Sequence, residues 1–177
     1  MDSTFHFVSF PTLQTERLDL RRLEASDDKE IFRLRSDDRV HQFINISRAR
    51  TIADATHFIE IVNKGMEEDK AVMWAITRRT DKQLMGTICI WNIEWDKNRA
   101  EIGYMLHPDF QGSGYMKEAI SVVMEYSWTR LKLNEVIGNV HRLNAASIAL
   151  LEKSGFAYSA NENDELIYTN KRFNDRS

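Results

Sequence analysis

Six consecutive residues, Gln111-Gly112-Ser113-Gly114-Tyr115-Met116, carry the densest chemical signal in the chain. They sit between an apolar alternation that ends at Leu106 and a helical period that starts at Ser113. Glycines at 112 and 114 let backbone N–H groups converge on one concavity with no side chain in the way. The helix start adds unsatisfied donors and the positive end of its dipole, so the segment reads as an anion site, naturally for a phosphate or pyrophosphate. A dinucleotide fingerprint does not fit, because its third glycine falls at Lys117 and the preceding strands read as antiparallel. A nucleotide P-loop does not fit either, for lack of a Gly-Lys-Ser/Thr ending. The residues alone leave open a loop that does no more than start a helix.

The elements that must hold this loop follow from period and punctuation. Leu18 and Leu20 alternate with charged residues over Glu16 to Arg22, a strand with one buried face. Asp27 with Glu30 resembles a capping box for a short helix through Ile31, Leu34 and Arg35. Thr51 with Asp54 opens a second helix, whose stripe is Ile52, Ala55, Ile59, Val62 and Met66. Strands follow at Val72 to Ile76, Leu84 to Trp95 and Arg99 to Leu106, joined by turns at Asp81-Lys82-Gln83 and Asp96-Lys97-Asn98, which makes an antiparallel meander. A helix is expected from Ser113 to Leu133, with Met116, Ala119, Ile120, Val123, Met124 and Trp128 on its apolar side. Then come a strand at Glu135 to Val140, a helix at Ala145 to Lys153 stopped by Gly155, and a hairpin of Phe156 to Ser159 with Glu165 to Phe173 around Asn161 to Asp164. The class is α+β, with a mixed sheet, antiparallel first, and a strand–helix–strand crossover in the second half.

Composition narrows the function classes. The chain has 177 residues with 42% hydrophobic content, enough for one compact domain with its own core. A formal net charge of -3 argues against a broad basic surface for nucleic acid. The single cysteine, Cys89, precludes an internal disulfide and a multi-cysteine metal site, and no metal is expected. Residues 1–10 lack a basic region followed by an apolar run, and no stretch approaches the ~20 apolar residues of a membrane span. A cytoplasmic protein without membrane association is the expectation, as monomer or homodimer.

The loop resembles the acyl-CoA motif of the GNAT acetyltransferases, Gln/Arg-x-x-Gly-x-Gly/Ala, departing from it at Met116, where the motif has a small residue. A larger apolar residue there is common in the branch resembling the ribosomal-protein N-terminal acetyltransferases (RimJ/RimL-like). Three further pieces resemble that branch in order: Thr15 to Arg21 its first strand, Ala100-Glu101-Ile102-Gly103-Tyr104 its fourth, and Asn144-x-x-Ser147 through Gly155-Phe156 its late helix and following strand. The likeness covers most of residues 12–173. It implies a GNAT-like, mostly antiparallel twisted sheet flanked by helices. It implies too an acyl-CoA cleft where the fourth and fifth strands (Arg99 to Leu106 and Glu135 to Val140) splay apart. The cosubstrate is then acetyl-CoA and the reaction direct acetyl transfer to a primary amine, with a protein N-terminal amine, as in ribosomal-protein acetylation, as the implied acceptor. A small amine (polyamine, amino sugar or amino acid) is the alternative acceptor, and a non-catalytic acyl-CoA-binding module the alternative class.

Acetyl transfer needs an amine freed of its proton, N–H donors for a developing oxyanion, and a partner for the departing thiolate. The resemblance sets the thioester beside Gly103 to Leu106, at the backbone of Tyr104, Met105 and Leu106, with N–H groups released by a bulge. It gives the pyrophosphate to Gln111, Gly112, Ser113, Gly114, Tyr115 and Met116, and the pantetheine arm to Asn144, which by its own chemistry caps the late helix. Glu101 is the implied general base, with His107 and His141 as weaker candidates and an inert strand carboxylate as the alternative. Relatives carry a tyrosine acid seven residues after the motif asparagine, but Leu151 stands there. Ser147, one helical turn earlier, is the implied substitute, against a serine that bonds its own helix. Cys89, in the apolar run Thr87 to Ile93, reads as core rather than nucleophile. Trp91 and Trp95 share its face by alternation and read as packing.

Overall fold

The computed structural model describes residues 7–172. The segment read for a leader falls partly outside these residues, as does Phe173 at the end of the expected hairpin. The strands are β1 (Leu13–Gln14), β2 (Leu18–Arg21), β3 (Val72–Arg78), β4 (Leu84–Glu94), β5 (Arg99–Leu106), β6 (Glu135–His141), β7 (Ala157–Glu162) and β8 (Glu165–Lys171). The helices are α1 (Asp28–Ser36), α2 (Ile52–Glu67), α3 (Tyr115–Thr129) and α4 (Ala145–Lys153). The short β1 moves the count by one, so the fourth and fifth strands of the sequence reading are β5 and β6.

One eight-stranded sheet runs in the order β1-β2-β3-β4-β5-β6-β8-β7. Every pairing is antiparallel except β5 with β6, which is parallel and spanned by α3. A parallel pair cannot be joined by a tight turn, which is why the connection from β5 to β6 carries a helix. The main core lies between the sheet and α3, where Ile120, Val123 and Leu133 meet Trp74, Ile88, Ile90, Ala100 and Ile102. Burying such side chains stabilises by about 1.5–3 kcal/mol each. A second cluster packs α1 and α2 on the other face through Ile31, Ala55, Ile59 and Ala75.

Several boundaries differ from the sequence reading for local reasons. The expected Asp27–Glu30 box is not made. Asp27 instead closes a turn from Glu24, accepts the Glu24 N–H at 2.8 Å, and is gripped by both terminal nitrogens of Arg21 at 2.8 Å. The Thr51–Asp54 box at α2 is formed as expected, although Ile52 at the start of its stripe remains exposed. Helix α3 is shorter than the expected Ser113 to Leu133. Gly114 is its left-handed N-cap, and beyond Arg130 the chain turns through Lys132 at φ 57°, so Leu131 and Leu133 enter the core from a loop. The expected alternation in β4 breaks at Asn92, where φ is 48° and the β4–β5 register shifts between Trp91 and Glu94. Trp95 therefore does not share a face with Cys89. It packs on the main core, edge-on to Phe7, and donates its indole N–H to the Asp69 carbonyl at 2.9 Å.

Candidate active site

The site begins where β5 and β6 part. Their pairing runs from Arg99–Glu135 to Ile102–Gly138 and stops, while β4 keeps pairing with β5 regularly through Leu106 and β8 keeps pairing with β6 through His141. Beyond Ile102 the backbone edge of Gly103 to Leu106 that points away from β4 has no strand partner, by the alternation of hydrogen-bonding directions along a strand. A bulge was expected to release these groups. The release comes instead from divergence of the neighbouring strand, and the bulge of β4 lies lower, at Trp91 to Glu94.

At the mouth of this gap sits the glycine loop. Gly112 and Gly114 both adopt left-handed backbone, φ 83° and 79°. A Cβ on Gly112 meets nothing within 4 Å, and one on Gly114 meets only the tip of Arg17 at 3.5 Å, so the loop opens onto free space as an anion cradle must. The Gln111 side chain faces back and donates to the Leu106 carbonyl at 3.0 Å, tying the loop to the end of β5. Met116 is buried in the core, so its bulk occupies the protein interior and leaves only its backbone at the loop. Met105 likewise turns its side chain into a cluster with Leu34 and Val40. Arg17, from the turn before β2, braces the helix start. It donates to the Ser113 carbonyl at 2.9 Å, pairs with Glu118 at 2.7 Å and lies over the Tyr115 ring, 4.5 Å from its centroid. Burial works against ionisation of Glu118, yet hydrogen bonds from Thr15 and Arg17 hold its carboxyl below the ordinary value.

Glu101 and Ser147 lie on opposite faces of the parting strands. Glu101 shares its face with Met105 and the α1–α2 side. Asn92 donates to one carboxylate oxygen at 2.7 Å and Asn139 to the other at 3.0 Å, so its orientation is fixed from both neighbouring strands. Trp91, which pairs with Glu101 across the ladder, is 46% exposed beside it rather than packed away as expected. Two residues beyond Asn139, His141 stacks on Phe43 from the α1–α2 connection, with ring centroids 5.6 Å apart. On the α3–α4 side, the Tyr104 phenol and the Ser147 hydroxyl are 2.6 Å apart. Burial pushes Tyr104 up to about 12 against the opposing hydrogen bond. Asn144 caps α4 as expected, accepting the Ser147 N–H at 3.1 Å. Leu151 is fully buried, its methyls so close to Gly138 that an added Cβ there would sit 2.9 Å from one of them.

His107 stands apart from both. It is buried at the end of β5, its N–H bonded to the Met85 carbonyl at 2.9 Å and its ring nitrogens 3.5 Å from Asp37 and Asp109. Its role is to shape the loop after β5. Cys89 packs against Gly103, and burial pushes its thiol up to about 12, with the Glu101 charge adding to the effect. Such a thiol is not a nucleophile at neutral pH.

The sequence model of the family described as "Acetyltransferase (GNAT) domain" matches residues 17–157. The chain belongs to this family. Among curated proteins, an uncharacterized N-acetyltransferase, YoaA, of Bacillus subtilis is 35% identical over 147 residues, 83% of each chain. The spermidine N(1)-acetyltransferase of Vibrio cholerae is 27% identical over 116 residues, 66% of each chain. Among solved structures, RimL, a ribosomal L7/L12 alpha-N-protein acetyltransferase in complex with coenzyme A, superposes with a TM-score of 0.81 at 17% identity, covering 91% of this chain and 98% of that one. The protein is thus an acetyl-CoA-dependent GNAT N-acetyltransferase with a mixed, largely antiparallel sheet, as the sequence motifs implied.

Seen as a GNAT site, the gap brings Glu101, Tyr104, Leu106, the glycine loop, Asn144 and Ser147 together, and it leaves His107 outside. Sequence reasoning missed Arg17 at the loop, the Tyr104 hydroxyl as partner of Ser147, and the amides of Asn92 and Asn139 on Glu101. Only Tyr104 had a local signal, its strand parity with Ile102. The others depend on contacts between distant segments.

Proposed function

We propose that this enzyme acetylates the N-terminal amine of a protein, in the manner of ribosomal-protein acetylation, and that it does so in the cytoplasm as one transferase domain. The observation that carries the reading is the parting of β5 and β6 above Ile102 and Gly138, with an open glycine cradle at its mouth and an exposed carboxylate site on one face. Acetyl-CoA supplies an activated thioester, and the residues of this chain hold, polarise and relay. Backbone N–H groups of Gln111 to Met116, aided by the dipole of α3, hold the pyrophosphate. The unpartnered edge of β5 donates the N–H groups of Tyr104 and Leu106 to the thioester carbonyl, whereas the Met105 N–H, on the same parity as that of His107, faces β4. Asn144, at the start of α4, faces the pantetheine arm. Glu101 accepts the amine proton, directly or through a water, and Ser147 donates a hydrogen bond to the departing sulfur.

The open end of the α1–α2 face supports a peptide acceptor, because exposed Trp91 and the Phe43–His141 stack give apolar surface on either side of Glu101. The likeness to RimL agrees with this reading, and among the described residues no helix is long and apolar enough to cross a membrane. The test is acetyl transfer from acetyl-CoA to a panel of N-terminal peptides and of small amines including spermidine. Turnover of peptides with weak competition by spermidine supports the proposal. Preference for spermidine assigns a polyamine acceptor instead, and coenzyme binding without turnover on any amine overturns the catalytic roles.

A further inference from the structure

The short contact between Tyr104 and Ser147 joins β5 to α4 across the gap, two residues beyond the last β5–β6 pairing at Ile102. A serine hydroxyl has one hydrogen, and whether that hydrogen points into the gap or back at a neighbour decides what it can do. Among the described residues the one hydrogen-bond partner of the Ser147 hydroxyl is the phenol, and Asn144, the polar group at the start of α4, is engaged by the Ser147 backbone N–H. Either oxygen of the pair can donate, and the greater acidity of a phenol over an aliphatic hydroxyl favours Tyr104 as donor and Ser147 as acceptor. In that arrangement the hydrogen of Ser147 has no partner among the described residues. One turn further along α4, Leu151 fills the space against Gly138 and offers no polar group.

We propose that Tyr104 is a positioning residue that aims the Ser147 hydroxyl into the gap, so that Ser147 donates to the sulfur from which the acetyl group departs. The inference rests on the reading of Ser147 given above. The device uses hydrogen bonds alone: the phenol keeps its proton, and the serine stabilises a thiolate without ionising. Burial, which raises the phenol to about 12, keeps Tyr104 a donor throughout the working range of pH.

The test needs no acceptor. Coenzyme A is bound to the wild type, to Tyr104→Phe, to Ser147→Ala and to the double variant, and its thiol is titrated by thiolate absorbance. Melting temperature and coenzyme affinity at low pH, where the thiol is protonated, serve as controls. A hydrogen bond to a charged sulfur shifts its equilibrium about tenfold, so Ser147→Ala should raise the bound thiol's midpoint by about one pH unit. Tyr104→Phe should raise it by a comparable amount, and the double variant should go no further. A normal midpoint in Tyr104→Phe, with a raised one in Ser147→Ala, overturns the positioning role and leaves the reading of Ser147 intact. Equal effects of Tyr104→Phe with and without Ser147 overturn it too, by showing that the phenol acts on the sulfur directly. A normal midpoint in Ser147→Ala overturns the reading of Ser147 itself.

Discussion

On one side of the candidate site, the glycine loop and the start of α3 bring six consecutive residues to one point. On the other, Glu101, Asn92, Asn139, His141 and Phe43 arrive from four strands and connections far apart in the chain. The first half is held by backbone conformation: two left-handed glycines and a helix end, with Arg17 as a distant brace. The second is held by side-chain hydrogen bonds and a ring stack. A backbone site tolerates wide sequence change as long as its torsions survive, whereas a side-chain site is lost one residue at a time. RimL, at 17% identity, shares the fold with a TM-score of 0.81.

The sharpest break of the first half is Gly112→Asp. Position 112 faces open space, so the carboxylate enters the cradle with no local partner to neutralise it, whereas an aspartate at 114 meets Arg17. Loss of at least about 100-fold in acetyl-CoA affinity is expected by calorimetry, roughly 2.7 kcal/mol, with Glu101 chemistry untouched. Unchanged affinity in a folded variant would move the cradle elsewhere.

For the second half the corresponding change is Glu101→Gln, with a fall in kcat of about 100-fold or more at neutral pH and coenzyme affinity kept. The defect should shrink as pH rises and the acceptor amine loses its proton unaided. A pH–rate profile parallel to that of the wild type would make Glu101 structural. Arg17→Ala probes a distant side chain that reaches the backbone half. Removing the brace from Ser113 should weaken acetyl-CoA binding by about 5–10-fold through a looser loop, roughly 1–1.4 kcal/mol, and a larger loss would mean that Arg17 contacts the phosphates itself.

The same contrast governs what was legible beforehand. The limits of β5 and α4 and the turns at Lys82 and Asn98 follow from alternation and local punctuation, and all agree with the structure. The glycine loop was readable because its chemistry is written in adjacent residues. Asn139 was not, since nothing in its own stretch shows that β6 runs beside β5 in a register that brings it to Glu101. Trp95 was misread because one left-handed residue, Asn92, reverses strand parity and asparagine alone does not announce it. Asp27 was read as a helix cap because Arg21, its partner on β2, has no fixed spacing from it in sequence.

The smallest expected effect tests whether the two halves are mechanically linked. His107 lies outside the gap but follows β5 directly, on the way to the glycine loop, and its ring meets Asp37 at the end of α1 and Asp109 after β5, with Arg33 and Arg39 paired to the same carboxylates. Burial, then the nearby Arg33 charge, lowers its pKa below the ordinary 6.5, and the two aspartates only partly offset this. A histidine with a depressed folded value resists protonation in the native state, while the unfolded chain takes up the proton near its ordinary value. Stability should therefore fall as pH drops through about 6.5 towards the folded value, and be insensitive to this group above it. His107→Gln keeps a neutral side chain of similar reach and should flatten that part of the melting curve against pH. If the halves are linked through His107, acetyl-CoA affinity in the wild type should decline over the same pH window and remain level in the variant. Affinity that declines equally in both would assign the pH dependence to the ligand and leave His107 as a local prop of the loop.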